Sequence, residues 1–162
     1  MLIRPLEDAD WPVFLETFRD VVAAGETYAY PEDLTSEQAR ALWVEPPPGR
    51  TVVAAGDDGT LLGSAKCGPN RPGRGRHVAT ASFMVTPAAR GQGVGRALGE
   101  WVIAWASEQG YAAMQFNAVV ETNAAAVALW QDLGFSIIGT VPAAFDSRSR
   151  GRVGLHVMHR FL

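Results

Sequence analysis

Apolar residues recur at helical spacing in four segments of the chain, and each segment ends at a glycine or a proline run. Asp10 and Asn123 precede the first and last segments as N-cap candidates, and the capping-box pattern Thr35-Ser36-Glu37-Gln38 opens the second. The four predicted helices cover residues 11–24, 36–43, 94–109 and 124–133.

Short apolar runs without helical spacing lie between these segments and predict strands. Gly56-Asp-Asp-Gly59 is a strong hairpin signal, and the last two strands are expected to close around a polar loop near residues 143–153. The predicted strands cover residues 1–6, 51–55, 61–67, 78–85, 114–119, 137–141 and 153–161. This order predicts an α/β fold, with a mixed six- to seven-stranded sheet flanked by about four helices in one domain spanning residues 1–162.

Composition narrows the classes of protein that this chain can be. The apolar fraction of 48% is that of a globular chain, and the net charge of −3 gives no reason to expect nucleic acid or an anionic membrane as a partner. No apolar run reaches the roughly 20 residues of a membrane-spanning helix. The single cysteine, Cys67, excludes an intramolecular disulfide and fits a cytoplasmic location. The three histidines lack metal-ligand spacing, so no metal site is expected.

The most specific motif is the glycine loop, residues 89–98, which reads Ala-Arg-Gly-Gln-Gly-Val-Gly-Arg-Ala-Leu between a predicted strand and a predicted helix. The amides of such a loop lie at the positive end of the helix that follows, where they favour binding of a phosphate group. The dinucleotide fingerprint fails, because Arg96 or Leu98 falls where its last glycine should be. The nucleoside-triphosphate loop fails because no Gly-Lys-Ser/Thr triplet occurs.

A third pattern, Arg/Gln-x-x-Gly-x-Gly/Ala, fits Arg90, Gly93 and Gly95 in register. In this respect the loop resembles the GCN5-related N-acetyltransferase (GNAT) family, whose members transfer an acyl group from acyl-coenzyme A to an amine. Residues 123–135, Asn-Ala-Ala-Ala-Val-Ala-Leu-Trp-Gln-Asp-Leu-Gly-Phe, resemble a second block of that family. The element order also agrees, so the resemblance covers essentially the whole chain.

The resemblance implies acetyl-coenzyme A (acetyl-CoA) as co-substrate. Amides from Gln92 to Arg96 would hold the pyrophosphate, with charge from Arg90 or Arg96, and main-chain groups near the end of the preceding strand would pair with the pantetheine arm. A backbone amide there would also polarise the thioester carbonyl. The implied cofactor-binding residues are Phe83, Met84, Val85, Arg90, Gly91, Gln92, Gly93, Val94, Gly95, Arg96, Asn123, Ala126 and Trp130.

The chain departs from the family pattern at the proton-transfer groups. Trp130 stands where the family commonly has a tyrosine that protonates the leaving thiolate, and an indole is no acid at neutral pH. The strand over residues 78–85 also contains no carboxylate that could act as a base.

Three routes for the proton therefore remain open. Ordered water can carry it with help from Thr80 or Ser82. A residue from elsewhere can serve, with Glu26, Tyr28, Tyr30 and Glu121 as candidates. Orientation alone can suffice for an amine that is already partly neutral.

Asn117 is a further candidate, because it is predicted on a strand beside the thioester and its amide can orient a substrate. The Phe-Asn-x-Val-x-x-x-Asn arrangement resembles the branch of the family that acetylates proline analogues.

The sequence thus predicts an N-acetyltransferase that acts on the primary or secondary amine of a small molecule by direct attack in a ternary complex. The alternatives are a non-catalytic acyl-coenzyme A sensor, favoured by Trp130, and an acetyltransferase of proteins or peptides. The edges of such a sheet also allow a homodimer.

Overall fold

The computed structural model describes residues 1–162 and contains four α-helices and seven strands, in agreement with the predicted fold class. The helices are Trp11–Ala24 (α1), Ser36–Trp43 (α2), Val94–Glu108 (α3) and Ala124–Asp132 (α4). The strands are Leu2–Pro5 (β1), Arg50–Ala55 (β2), Leu61–Pro69 (β3), Val78–Val85 (β4), Ala113–Val120 (β5), Ser136–Ser147 (β6) and Gly151–Phe161 (β7). Three short 3₁₀ segments precede α1, β4 and the glycine loop.

The strands form one mixed sheet in the order β1-β2-β3-β4-β5-β7-β6. Every neighbouring pair is antiparallel except β4 and β5, which run parallel. The parallel pair is joined through α3, as a crossover connection requires.

Helices cover the two faces of this sheet unequally. The larger core joins α3 and α4 to one face through residues such as Ala79 and Met114. The smaller core joins α1 and α2 to the opposite face, where Met84 packs with Trp43. Because successive side chains of a strand point to opposite faces, β4 contributes to both cores.

The strands β4 and β5 separate soon after they begin. Their pairing is confined to Val78 with Ala113 and Ala79 with Met114, and β5 carries an irregularity between Phe116 and Val119. The C-terminal halves of β4 and β5 therefore separate, which opens a gap through the sheet between the two helical layers.

The last two strands are longer than predicted, and the prediction of a polar loop near residues 143–153 is wrong. Strand β6 continues to Ser147 and β7 starts at Gly151, so only three residues form the turn between them. Two register shifts and a positive φ of 50° at Ala143 let β6 continue past Pro142. Because β6 is an exposed edge strand, it needs no continuous apolar pattern, and its full length could not be predicted from the sequence.

The predicted cap Asp10 is also wrong in its role. Its carboxylate makes a bidentate pair with Arg4 at 2.6 and 2.8 Å and accepts the Glu7 amide, and it makes no cap hydrogen bond to α1. The Arg4 guanidinium holds the pKa of Asp10 below its usual range. By contrast, the capping box of α2 and the Asn123 cap of α4 are confirmed.

The helices are all too short or too polar to cross a membrane.

Candidate active site

The gap between β4 and β5 is part of a cleft of about 1160 Å³. At one end lie the glycine loop and the start of α4, and at the other lie the α1–α2 loop (residues 25–35) and the β6–β7 turn (residues 148–150). The cleft thus connects the two helical layers through the open sheet.

The glycine loop presents several amides without partners to this cleft. The first helical hydrogen bond of α3 joins the Ala97 amide to the Gly93 carbonyl, at 3.0 Å. The amides of Gly91, Gly93, Val94, Gly95 and Arg96 have no acceptor in the protein. Free amides at the first turn of a helix, together with its macrodipole, favour an anion.

Two glycines of this loop adopt a backbone conformation that side chains disfavour. Gly91 and Gly93 have φ values of 76° and 81°, and a Cβ built on either would meet no heavy atom within 4 Å. The space in front of the free amides is therefore open. It fits the pyrophosphate of coenzyme A in both charge and room.

The polar side chains of the loop differ in their availability. Arg90 makes no ion pair, whereas Arg96 pairs with Asp132 at 2.9 Å and lies 3.9 Å from Glu100. Gln92 does not line the cleft, because its side chain donates to the Ala88 carbonyl and its amide donates to Ala89. Arg90 is thus the free cation of the loop, whereas the Gln92 amide, predicted to bind the pyrophosphate, has a partner within the protein.

Main-chain groups of β4 alternate between β3 and the cleft. Phe83 directs its amide and carbonyl away from β3, since both bond to the Tyr28 hydroxyl, at 2.9 and 2.7 Å. Val85 shares this direction, whereas Met84 faces β3 in the antiparallel ladder and Thr86 donates to Leu62. Of the three predicted pantetheine partners, Val85 therefore retains free main-chain groups, whereas those of Met84 pair with β3.

Tyr28 anchors the α1–α2 loop to the centre of the cleft. Its ring stacks on Tyr30 with centroids 5.4 Å apart, and its hydroxyl donates to the Phe83 carbonyl. Desolvation raises the pKa of the Tyr28 phenol far above its usual range, although the bond to Phe83 opposes the shift. Tyr28 therefore stays protonated at neutral pH and acts as a donor rather than as a base.

Trp130 belongs to an aromatic cluster at the α4 side of the cleft. Its ring lies 4.6 Å from that of Phe83 and 4.9 Å from that of Phe116, between centroids, and its far edge faces Gly99 of α3. Ala126 and Asn123 line the cleft on the same helix, where the Asn123 side chain accepts the Ala126 amide at 3.3 Å. The geometry gives Trp130 a packing role beside the β4 edge.

Glu26 is the only acidic residue that lines the cleft. One of its oxygens accepts the Ser147 hydroxyl at 2.7 Å and the other accepts the Ser149 amide at 2.9 Å. These bonds, of which that from Ser147 has the largest effect, hold the pKa of the Glu26 carboxyl below its usual value. An ionised carboxylate with two donors is a weak proton acceptor, so Glu26 joins the α1–α2 loop to the β6–β7 turn instead.

Asn117 and Ser82 both line the cleft, on β5 and β4 respectively. The Asn117 side chain is exposed, donates to the Asn70 side chain at 2.7 Å and accepts from Gln115 at 2.7 Å. It therefore links β5 to the segment that follows β3. Ser82 directs its side chain to the same face as Met84, towards the α1–α2 loop.

Sequence reasoning missed Arg150, Phe145 and Leu155, which all line the cleft. Phe145 and Arg150 lie in the region that was predicted as a loop, and Leu155 lies in the predicted last strand. Contacts more than 100 residues apart along the chain bring the former region to the α1–α2 loop. No local motif marks these residues. Phe145 and Ser147 are buried and alternate with exposed residues, which marks a strand in the structure, but the sequence alone does not show this burial.

Comparisons with known proteins agree with this geometry. The sequence pattern of the Acetyltransferase (GNAT) family matches residues 10–135. A GCN5-related N-acetyltransferase from Kribbella flavida is 62% identical, with a TM-score of 0.97 over 99% of this chain and 97% of that chain. The putative acetyltransferase yncA from Salmonella typhimurium, solved with its cofactor acetyl-CoA, is 25% identical, with a TM-score of 0.84 over 100% of this chain and 94% of that chain.

Curated relatives extend the comparison. The L-methionine sulfoximine/L-methionine sulfone acetyltransferase of Pseudomonas aeruginosa is 35% identical over 148 residues, which cover 86% of this chain and 83% of that protein. The N-acetyltransferase aca1 of Schizosaccharomyces pombe is 35% identical over 95 residues, and the match spans 59% of this chain but only 44% of that protein. The family match extends over more than half of the chain and includes the glycine loop and α4, so the chain belongs to the acetyltransferase (GNAT) family.

Proposed function

We propose that the protein is an acetyl-CoA-dependent N-acetyltransferase that acts on a primary or secondary amine of a small molecule, such as an amino acid, an analogue or a xenobiotic amine. The observation that carries the proposal is the cleft through the sheet, with free amides and Arg90 at one end and the side chains of Glu26 and Arg150 at the other.

The cofactor end would bind acetyl-CoA mainly through main-chain groups. The free amides from Gly91 to Arg96, that of Gln92 excepted, and the Arg90 guanidinium would hold the pyrophosphate, and Val85 would pair with the pantetheine arm as a strand neighbour. When bound, acetyl-CoA would supply an acetyl thioester; direct attack by an amine in the cleft would form the amide bond, break the carbon–sulfur bond and release coenzyme A as the thiolate.

The proton of the amine has no strong acceptor among the residues of the cleft. Glu26 is held ionised by its two donors, Tyr28 stays protonated, and Trp130 offers only an indole. Ser82 and Thr80 can position water beside β4. Orientation of a neutral amine, with water as the proton acceptor, therefore accounts for catalysis by this set of side chains.

The Pseudomonas relative supports a small acceptor. Its name gives L-methionine sulfoximine and L-methionine sulfone as its substrates, and it matches this chain over most of both proteins. The cleft supports the same class, because the α1–α2 loop and the β6–β7 turn, joined through Glu26, border its acceptor end.

The test is release of coenzyme A from acetyl-CoA across a broad panel of small amines, measured with a thiol reagent. Cys67 is the only protein thiol, and burial raises its pKa to about 12, so the protein adds little background. Amine-dependent release of coenzyme A would support the proposal. Tight acetyl-CoA binding without turnover on any amine would instead support the sensor.

A further inference from the structure

Arg150 is a free cation at the acceptor end of the cleft. It lies in the β6–β7 turn, lines the cleft, and forms no ion pair within 4 Å of a carboxylate. Its exposed side chain makes no hydrogen bond in the protein, and its amide donates to the Ser147 hydroxyl at 3.2 Å. The main chain of Arg150 is thus fixed while its guanidinium is available.

The turn that carries Arg150 is held in place by the α1–α2 loop. The Arg148 amide donates to the Gly25 carbonyl at 3.0 Å, the Arg148 guanidinium pairs with Glu32, and Glu26 accepts from Ser147 and Ser149. Because these bonds hold the three residues that precede Arg150, Arg150 occupies a defined place at the acceptor end of the cleft. Preorganised donors bind a partner at a lower cost in entropy.

No acidic group of the protein satisfies Arg150. Glu26, the only acid of the cleft, attracts Arg150 at longer range, but each of its oxygens already accepts a hydrogen bond from the turn. Its neighbour Arg148 has a carboxylate partner and Arg150 has none. A guanidinium offers paired donors that match the two oxygens of a carboxylate.

The phosphates of the cofactor do not need Arg150 either. Arg90 and the free amides lie at the glycine loop, next to the face of the sheet that α3 covers. Arg150 lies with the α1–α2 loop at the other end of the cleft. Tyr30, Phe145 and Leu155 also line the cleft and give its acceptor end an apolar wall.

We propose that Arg150 binds a carboxylate of the acceptor, so that the preferred substrates are amino acids rather than simple amines. This inference rests on the proposed function and adds the substrate class and the residue that selects it. The carboxylate pairs with the guanidinium, the side chain of the substrate lies along the apolar wall, and the amine points towards β4.

The test compares L-amino acids with their primary amides as acceptors, using the wild type, Arg150→Gln, Arg150→Lys and the matched control Arg152→Gln. Arg152 is exposed in the same hairpin but does not line the cleft. Taking the ratio of variant to wild type for each acceptor cancels the difference in amine pKa between an acid and its amide.

We expect Arg150→Gln to lower kcat/KM for the acids by about 10- to 100-fold and to change that of the amides by less than about threefold. Arg150→Lys should restore part of the loss, Arg152→Gln should match the wild type, and the KM of acetyl-CoA should stay constant. Equal losses for acids and amides, or no loss for either, would overturn the inference.

Failure of the proposed function is separable from failure of this inference. Turnover of simple amines but of no amino acid leaves the acetyltransferase in place and refutes the role of Arg150. If no amine is acetylated, calorimetric titration of the same acids and amides into the coenzyme A-bound protein still decides the site. Binding that prefers acids and is lost in Arg150→Gln supports it, and absence of such binding refutes it.

Discussion

The two ends of the cleft are built in different ways. The cofactor end is largely local, since one continuous segment from Val85 to Arg96 supplies the strand edge, the glycine loop and the first turn of α3, and only the start of α4 comes from elsewhere in the chain. The acceptor end joins segments more than 100 residues apart, through Glu26 and the β6–β7 turn. The free polar groups of the cofactor end are mainly main-chain amides, and those of the acceptor end are side chains.

This difference has a physical consequence. Main-chain binding constrains the backbone conformation and leaves most side chains free, so a short pattern of glycines reveals it. Side-chain binding across distant segments depends on the whole fold, and no short pattern encodes it. A substitution at one end should therefore leave the other end largely intact, and the following changes test that independence.

The largest effect is expected from Gly93→Asp. The new side chain would occupy the open space in front of the free amides, place a carboxylate against the phosphates and force a residue with a Cβ to keep a φ near 81°. We expect acetyl-CoA affinity to fall by about 100-fold or more in isothermal titration calorimetry.

Gly110→Asp is the matched control for this change. Gly110 has a φ of 78° with nothing within 4 Å, but it follows α3 at the opposite end from the glycine loop. Its variant carries the same backbone strain and should bind acetyl-CoA like the wild type. Equal weakening in both variants would show that strain, and not the phosphate site, causes the loss.

Tyr28→Phe should cost stability at the junction between the two ends. The change leaves the Phe83 amide and carbonyl without their common partner, and we expect the free energy of unfolding to fall by about 1–3 kcal/mol in denaturant titration. Tyr30→Phe is the control, since the Tyr30 hydroxyl makes no hydrogen bond in the protein, and should stay within about 0.5 kcal/mol. A Tyr28 variant as stable as the control would refute the anchoring role.

Glu26→Ala should affect the acceptor end alone. Loss of the two bonds to the β6–β7 turn releases that turn, and we expect the KM of the acceptor to rise by about tenfold. The KM of acetyl-CoA should not change, and Glu26→Gln should recover part of the effect because its amide can still bond to the turn. A fall in kcat with constant KM values would instead identify Glu26 as a base.

Trp130→Phe tests whether the residue at the position of the family tyrosine takes part in proton transfer in this chain. An indole packed between Phe83 and Phe116 transfers no proton, so kcat should stay within about threefold, or roughly 0.7 kcal/mol. Trp130→Tyr is the paired variant, because it restores a hydroxyl at that place. Much faster turnover by the tyrosine variant would show that the protein lacks an acid it could use.

The smallest effect is the pH response of the acceptor end. Because bonding to Ser147 lowers the pKa of Glu26 in the folded protein, the contact is present above the usual value of 4.5 and is lost as the pH falls through the lower folded value. The KM of the acceptor should therefore have no Glu26-dependent limb between pH 5 and 8, measured as the ratio of wild type to Glu26→Gln. A limb near neutrality that Glu26→Gln removes would contradict this assignment.

The sequence predicted most of the fold, because helical stripes, caps and the Gly56–Gly59 turn are local signals. It also located the glycine loop, since only glycine adopts positive φ without strain at Gly91 and Gly93. It could not show that Gln92 bonds back to Ala89, because that depends on a turn geometry rather than on residue type.

Most of the acceptor end could not be predicted from the sequence. Glu26 and Tyr28 were candidates for proton transfer, and their observed roles arise from partners in β6 and β4 that no local pattern reveals. Strand β6 continues past Pro142, so the polar loop expected near residues 143–153 is absent and Arg150 lies in a tight turn.

The most direct test of the division between the two ends is one calorimetric series, in which acetyl-CoA is titrated into the wild type, Gly93→Asp and Glu26→Ala. We expect equal affinities for the wild type and Glu26→Ala, and loss of binding in Gly93→Asp. Wild-type affinity in Gly93→Asp, or a loss in Glu26→Ala as large as that in Gly93→Asp, would contradict the independence of the two ends.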